Sequence, residues 1–429
     1  MLTIFLVTLF GALLLGAPVA FALILSTIAL MVFNNSFDTQ IVVQHMMAGA
    51  ENYTLMAIPF FMLAGEIMNH GGISTRIIKF ASDLVGHVKG GLGYVTVIAC
   101  MIFAGVSGTA VADTAAVGSI LHPVMKREGY DSKRSAALIC AAGCTGPIIP
   151  PSVPMILYGV IGGVSIVGLF LGGIVPGLIM GIALMIYWYL HTRKTNYPIK
   201  PRVSFATLLR STIDAAWALV LPFIILGGIV FGVFTPTEAA VIAVFYAFFV
   251  SFVIYRELEL SKLPKILLDA AINSAVVMFV AAAATSTGFM ITVGRIPQSI
   301  AETILSISSD PAIVMLIINF FLLLVGTVMD LTPALLILAP ILISLTKNLG
   351  IDPLYFGVVM VFNLCIGLLT PPVGTVLFVG CGLSGHSITE LSRRVLPLVL
   401  VLIAVLFLIT YVPETIMTIP KWYQGLRTT

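Results

Sequence analysis

The chain has 429 residues, 59% of them hydrophobic and only 9% charged, whereas an average soluble domain carries about 25% charged residues. So few charges cannot cover a water-facing surface, which excludes a soluble enzyme. The formal net charge of +3 offers no basic face, and no nucleic-acid partner is expected.

Apolar runs of spanning length recur along the chain, and the short alternating segments of a barrel do not. An all-α integral membrane protein is therefore expected. Segments 2–16 and 18–33 read as the first two crossings. No basic stretch precedes them and no small-residue cleavage site follows, so no removable signal peptide is expected. A third crossing, 53–69, carries Glu66 near its end, placed to reach water. Segment 71–90 mixes charge with apolar residues and reads as an interfacial arm helix.

Segment 92–125 is too long for one crossing and is interrupted by Gly105-Val106-Ser107-Gly108-Thr109. It reads as a re-entrant hairpin that enters and leaves on one side. Crossings then follow at 133–161, 166–190, 213–234, 237–255 and 270–292, with further amphipathic arms at 257–268 and 295–309. Segment 311–346, interrupted by Gly326-Thr327-Val328-Met329-Asp330, is a second hairpin. Crossings at 353–383 and 395–412 complete the set, and 413–429 is a tail.

Basic residues favour the cytoplasmic side. With the N-terminus outside and both hairpins re-entrant, 17 of the 21 Lys and Arg fall inside, Lys79, Lys194, Lys200 and Arg210 among them. Only Arg295, Lys347, Lys421 and Arg427 fall outside. Turning either hairpin into a crossing would invert everything after it and destroy the bias. The five cysteines all lie in apolar segments without histidine at metal spacing, and read as buried thiols.

The two hairpins belong to repeated units. Asp113 and Pro123 are answered at the same spacing by Asp330 and Pro340. Gly129-Tyr130-Asp131 recurs as Gly350-Ile351-Asp352, and Gly146-Pro147-Ile148-Ile149-Pro150-Pro151 as Gly367-Leu368-Leu369-Thr370-Pro371-Pro372. Five crossings separate the hairpins, and an odd number makes the repeats opposite in topology. Inverted repeats with interrupted helices mark many secondary transporters, whose sites lie at the repeat interface near mid-membrane.

Each Pro-Pro pair must break its helix, because proline removes a donor and clashes with the preceding turn. Broken backbone survives at that depth only inside protein or against a hydrated cavity. Its carbonyls, at Gly146, Pro150, Gly367 and Val373, are candidate ligands for a hard cation, which wants oxygen. Ser107, Gly108 and Thr109 supply the hairpin half of one site; Gly326, Thr327 and Asp330 supply the other. Ser152, Thr370 and Thr375 add hydroxyls. Sodium fits this kit, with at least two ions bound. The bland alternatives are a ligand-free proline kink and small-residue helix packing.

Asp113 and Asp330 each cost about 2.5–3.5 kcal/mol if ionised at mid-bilayer. They read either as partners for nearby cations or as helix caps. Asp113, Asp330, Ser107, Thr109, Pro151 and Pro372 are thus the substrate-site or coupling candidates. No Lys or Arg falls at membrane depth, so an anionic substrate would be met by bound cations and helix ends. No nucleotide motif is present, and ATP is not the expected energy source.

These residues carry a resemblance. The runs 105–113, 146–152, 326–330, 370–374 and Val293-Gly294-Arg295-Ile296-Pro297 together resemble the large membrane subunit of tripartite ATP-independent periplasmic (TRAP) transporters, over essentially the whole chain. The resemblance implies an elevator-type carrier in which 91–190 and 310–412 form a transport part. That part moves against a scaffold of 1–90 and 191–309, and 413–429 is a periplasmic tail. It further implies sodium coupling, a separate four-helix small membrane subunit, a periplasmic substrate-binding protein and an organic-acid substrate. Sialic acid leads that list and C4-dicarboxylates follow. The location implied is the bacterial inner membrane, with both termini periplasmic.

Three rivals remain. A stand-alone sodium–dicarboxylate symporter would share the architecture and need no partners. An intramembrane serine protease would use Ser107 of Gly105-Val106-Ser107-Gly108, but needs a histidine at the same depth, and all six histidines fall in loops or at span ends. A channel would not need two occluding hairpins.

Overall fold

The computed structural model describes residues 1–193, 195, 197, 199, 201–308 and 310–428. Lys194 and Lys200 of the charge tally lie outside the described residues.

Among the described residues the regular structure is all helix. The first helices are α1 Leu2–Leu14, α2 Val19–Phe33, α3 Thr39–Ala50, α4 Ala57–His70 and α5 Ile73–Val85. Then come α6 Gly91–Ser107, α7 Ala110–Arg127, α8 Ser132–Gly143, α9 Val153–Gly162 and α10 Ile166–Thr192. The second half holds α11 Phe205–Val230, α12 Pro236–Phe249, α13 Leu263–Val293, α14 Ile296–Ile307 and α15 Pro311–Val328. It ends with α16 Leu331–Asn348, α17 Pro353–Gly367, α18 Thr375–Ser384, α19 Ile388–Tyr411 and α20 Glu414–Thr428. Among the described residues seven helices are long and apolar enough to cross a membrane. Their outer faces are oily, with Phe223 76% and Phe245 71% exposed, as lipid contact requires and water would penalise.

Both hairpins are present. Gly108 turns the first at φ +64°, a region open to glycine, and Thr109 then caps α7 by accepting from the Ala112 N–H. In the second, Met329 and Asp330 join α15 to α16 in extended conformation. Both Pro-Pro pairs interrupt helix as expected, between α8 and α9 and between α17 and α18, and both Pro-Pro peptides are cis.

Four stretches depart from the sequence reading. Segment 257–268 is not a separate arm: Pro264 opens α13, which runs 31 residues without a breaker and is longer than the membrane core. Residues 39–50 form an unexpected helix, started by Asp38 accepting from the Gln40 N–H. Its scattered polar residues gave no apolar face to read, and it is held instead by close approach to α13, where Gly49 leaves no room for a Cβ against Thr285. Segment 213–234 begins earlier, at a Ser204 cap. The tail 413–429 is largely helix α20, packed on α10.

Two groups of helices emerge. One gathers α1–α5 with α11–α13; the other gathers α6–α10 with α15–α20. Within the second, α7 packs on α8 and α18, while α16 packs on α17 and α9. Each hairpin's returning helix thus rests on the outer half of the other repeat's broken helix. Met1 lies beside Gly294 at one face of the molecule. The opposite face holds three long-range ion pairs: Arg76 pairs with Glu257 at 2.8 Å and Asp214 at 3.5 Å, and Lys133 with Glu390 at 2.6 Å. There Trp188 donates its indole N–H to the Gly90 carbonyl at 2.8 Å and stacks with Tyr197.

Candidate functional site

The first hairpin tip and the first break meet in the buried centre. Ser107 ends α6 and hydrogen-bonds the Asp113 carboxylate in the first turn of α7. Its Oγ also accepts from the Thr109 N–H at 3.3 Å. The hairpin presses so closely on the break that a Cβ at Gly108 would stand 2.8 Å from the Pro151 carbonyl oxygen. A Cβ at Gly146 would stand 2.5 Å from Asp113 Oδ2 and 2.8 Å from the Thr109 carbonyl oxygen. Only glycine therefore leaves this space open. Asp113 is fully buried, and its Oδ2 has no hydrogen-bond partner. Burying a bare acceptor is costly, and an oxygen-lined hollow around an orphaned carboxylate oxygen is what a small hard cation fills.

Some predicted ligands are otherwise engaged. The Ser152 hydroxyl donates to the Pro147 carbonyl at 2.5 Å and accepts from the Met155 N–H at 3.2 Å, which caps α9. The Pro150 carbonyl oxygen lies beside Gly105, 3.8 Å from where a Cβ there would stand.

The second site repeats the plan with looser walls. Thr375 donates to Asp330 Oδ1 at 2.8 Å, joining the hairpin tip to the start of α18. The Val373 N–H donates to the Thr327 carbonyl at 3.1 Å. Thr370 donates to the Gly367 carbonyl at 2.8 Å, and Thr327 to Leu324 of its own helix at 2.8 Å. Gly326 and Gly367 meet backbone to backbone, so that a Cβ on Gly367 would lie 2.6 Å from the Gly326 Cα. Gly374, at φ +38°, opens α18. Pro371 and Pro372 are exposed, whereas Pro150 and Pro151 are not.

Between the tips lies a cavity of about 70 Å³, lined by Gly108, Thr109, Val153, Asp330, Thr332 and Met62 with their neighbours. The starts of α7, α9 and α16 all reach it. Free N–H groups and the dipole make a helix start attractive to anions, and no Lys or Arg lines the space. A second cavity, of about 450 Å³, follows along the same α9, α13 and α16 toward the face of Met1. Asn52, Thr285 and Thr292 are its polar lining.

Asp113, not a capping residue, sits inside α7 while Thr109 does the capping. Sequence reasoning missed Thr114, whose buried hydroxyl has no hydrogen-bond partner one residue beyond Asp113. It also missed the buried Asn319–Asn363–Thr410 chain behind the second break, in which Asn363 donates to Asn319 at 2.9 Å and Asn319 to Thr410 at 3.0 Å. Two lone asparagines in apolar runs were the available signal. Ser107 has Asp113 and Thr109 as its hydrogen-bond partners and no histidine.

A family model described as the DctM component of tripartite ATP-independent periplasmic transporters matches residues 6–415. The chain is 45% identical to the 2,3-diketo-L-gulonate TRAP transporter large permease protein YiaN of Escherichia coli (strain K12), covering 98% of this chain and 99% of that one. It is 39% identical to the sialic acid TRAP transporter large permease protein SiaM of Vibrio cholerae, covering 97% of each. Its fold is similar to that of the Alcanivorax borkumensis YdaH transporter, with a TM-score of 0.59 at 14% identity over 86% of each chain.

Proposed function

The chain belongs to the DctM family of tripartite ATP-independent periplasmic transporter components, and from that premise we propose that it is the large permease subunit for sodium-coupled uptake of an organic acid. The observation that carries the reading is the shared cavity where three helix starts and both hairpin tips converge without a basic side chain. A carboxylate bound there is held by backbone N–H groups. Its charge is balanced by cations at the two breaks rather than by an arginine clamp.

The Asp113 hollow supports sodium at the first break, with Ser107, Thr109 and Gly146 around it. Asp330, Thr375 and the backbone of Thr327 and Gly367 support a second. The small cavity takes the carboxylate group, and the body of the acid extends into the larger cavity along α13. Sialic acid and 2,3-diketo-L-gulonate, for which the two relatives are named, are the acids to test first.

In this reading the α6–α10 and α15–α19 group, with α20 packed on α10, carries the ions and substrate past the α1–α5 and α11–α13 group, as an elevator in the bacterial inner membrane. The charged face is cytoplasmic, and both termini are periplasmic. A separate four-helix small subunit and a periplasmic binding protein complete the system.

Proteoliposomes holding this chain, its small subunit and loaded binding protein test it. Uptake should follow an inward sodium gradient and stop when choline replaces sodium. Full-rate uptake in choline sinks the sodium coupling, and equal uptake by the chain alone favours the stand-alone symporter.

A further inference from the structure

At the charged face, a groove of about 620 Å³ runs between α5 and the first turns of α11, lined by Lys79, Thr207, Arg210, Ile213 and Asp214. The acid in that wall is already engaged, since Arg76 reaches Asp214 at 3.5 Å while also pairing with Glu257. Lys79 and Arg210 have no carboxylate within salt-bridge distance among the described residues, and both are exposed. Counted with the Arg76 cluster, three basic groups face two acids there, which leaves the groove net positive, with Lys79 and Arg210 as its unpaired cations.

Directly beyond them α11 turns apolar outward. Ile213 is 63% exposed, and Trp217 and Val220 continue the same side toward mid-membrane. Cations at the mouth with an oily strip below them match the two ends of one molecule. We propose that this groove binds an anionic phospholipid, with its phosphate between Lys79 and Arg210 and an acyl chain along Ile213 and Trp217. Charge complementarity selects the headgroup. The depth fits as well, because Arg210 lies just outside the stretch apolar enough to sit in hydrocarbon. The lipid would tie α5, which packs on the first hairpin's α6, to the helix bundle beside it.

Native mass spectrometry of the purified full chain, titrated with phosphatidylglycerol or phosphatidylcholine, tests this. The wild type should bind phosphatidylglycerol in preference to phosphatidylcholine. Lys79→Gln or Arg210→Gln should each weaken phosphatidylglycerol binding about fivefold, and the double variant about twenty-fivefold. Phosphatidylcholine binding should not change. Lys79→Arg should retain the preference, and an unchanged Tm in phosphatidylcholine micelles shows that the variants fold. Equal binding of the two lipids by the wild type, or an unaltered preference in the double variant, overturns the proposal. Displacement of phosphatidylglycerol by millimolar inorganic phosphate would make this a free-anion site and overturns the lipid assignment. Loss of bound lipid when the small subunit is added would assign the groove to a protein and overturns it too.

Discussion

The space at Gly146 is filled by nothing larger than hydrogen, and the oxygens of Asp113 and Thr109 point into it. Gly146→Ala should therefore raise the sodium concentration for half-maximal uptake about tenfold or more, equivalent to about 1.4 kcal/mol, with uptake normalised to the folded protein in the membrane. Asp113→Asn keeps the shape and one oxygen but removes the charge that draws a cation. Its uptake should lose sodium dependence below saturating salt, whereas Thr114→Val should leave a smaller defect. Sodium-dependent uptake by reconstituted variants measures all three. If Asp113→Asn keeps the wild-type sodium curve, the carboxylate is structural. At this scale the sequence was informative about types and positions: the paired Asp, the Gly/Ser/Thr tips and the Pro-Pro breaks were legible because polar or helix-breaking residues stand out in apolar runs. Which hydroxyls point where was not. Ser152 and Thr370 spend their hydroxyls on neighbouring carbonyls, and only the folded break decides that.

Among the elements, the crossing of α15 and α17 rests on Gly326 against Gly367, with backbones close enough to exclude a methyl group on either side. Gly367→Ala should destabilise the protein by about 1–3 kcal/mol and lower its Tm in detergent. Gly227→Ala, which meets nothing within 4 Å, should not. An unchanged Tm for Gly367→Ala would mean that the two helices separate without cost. Most elements could be read from apolar run length and from proline and glycine punctuation, the hairpins included. Helix α3 could not, because tertiary contact with α13 rather than periodicity holds it. The first turns of α13 misled for a related reason: their Lys265 and Asp269 look like a surface arm, but the helix simply continues out of the bilayer.

For the whole molecule, the proposed motion predicts that joining the two helix groups stops uptake. A bismaleimide link between cysteines placed at Thr285 of α13 and Ile161 of α9, which line one cavity from opposite groups, should abolish transport. The same link within one group, between cysteines at Ser132 and His386, whose native side chains hydrogen-bond one another, should leave it largely intact. Uptake that survives the first cross-link rules out sliding of one group past the other.

The cross-packing of α7 on α18 and of α16 on α9 also has a consequence for synthesis. As the ribosome feeds the first repeat into the bilayer, α7 already has α6 and α8 beside it and α9 has α10, but α18 and α16, on which they also pack, are still untranslated. A chain cut in the segment before α11 should be inserted and then degraded, and two half-chains made in the same cell should rescue one another.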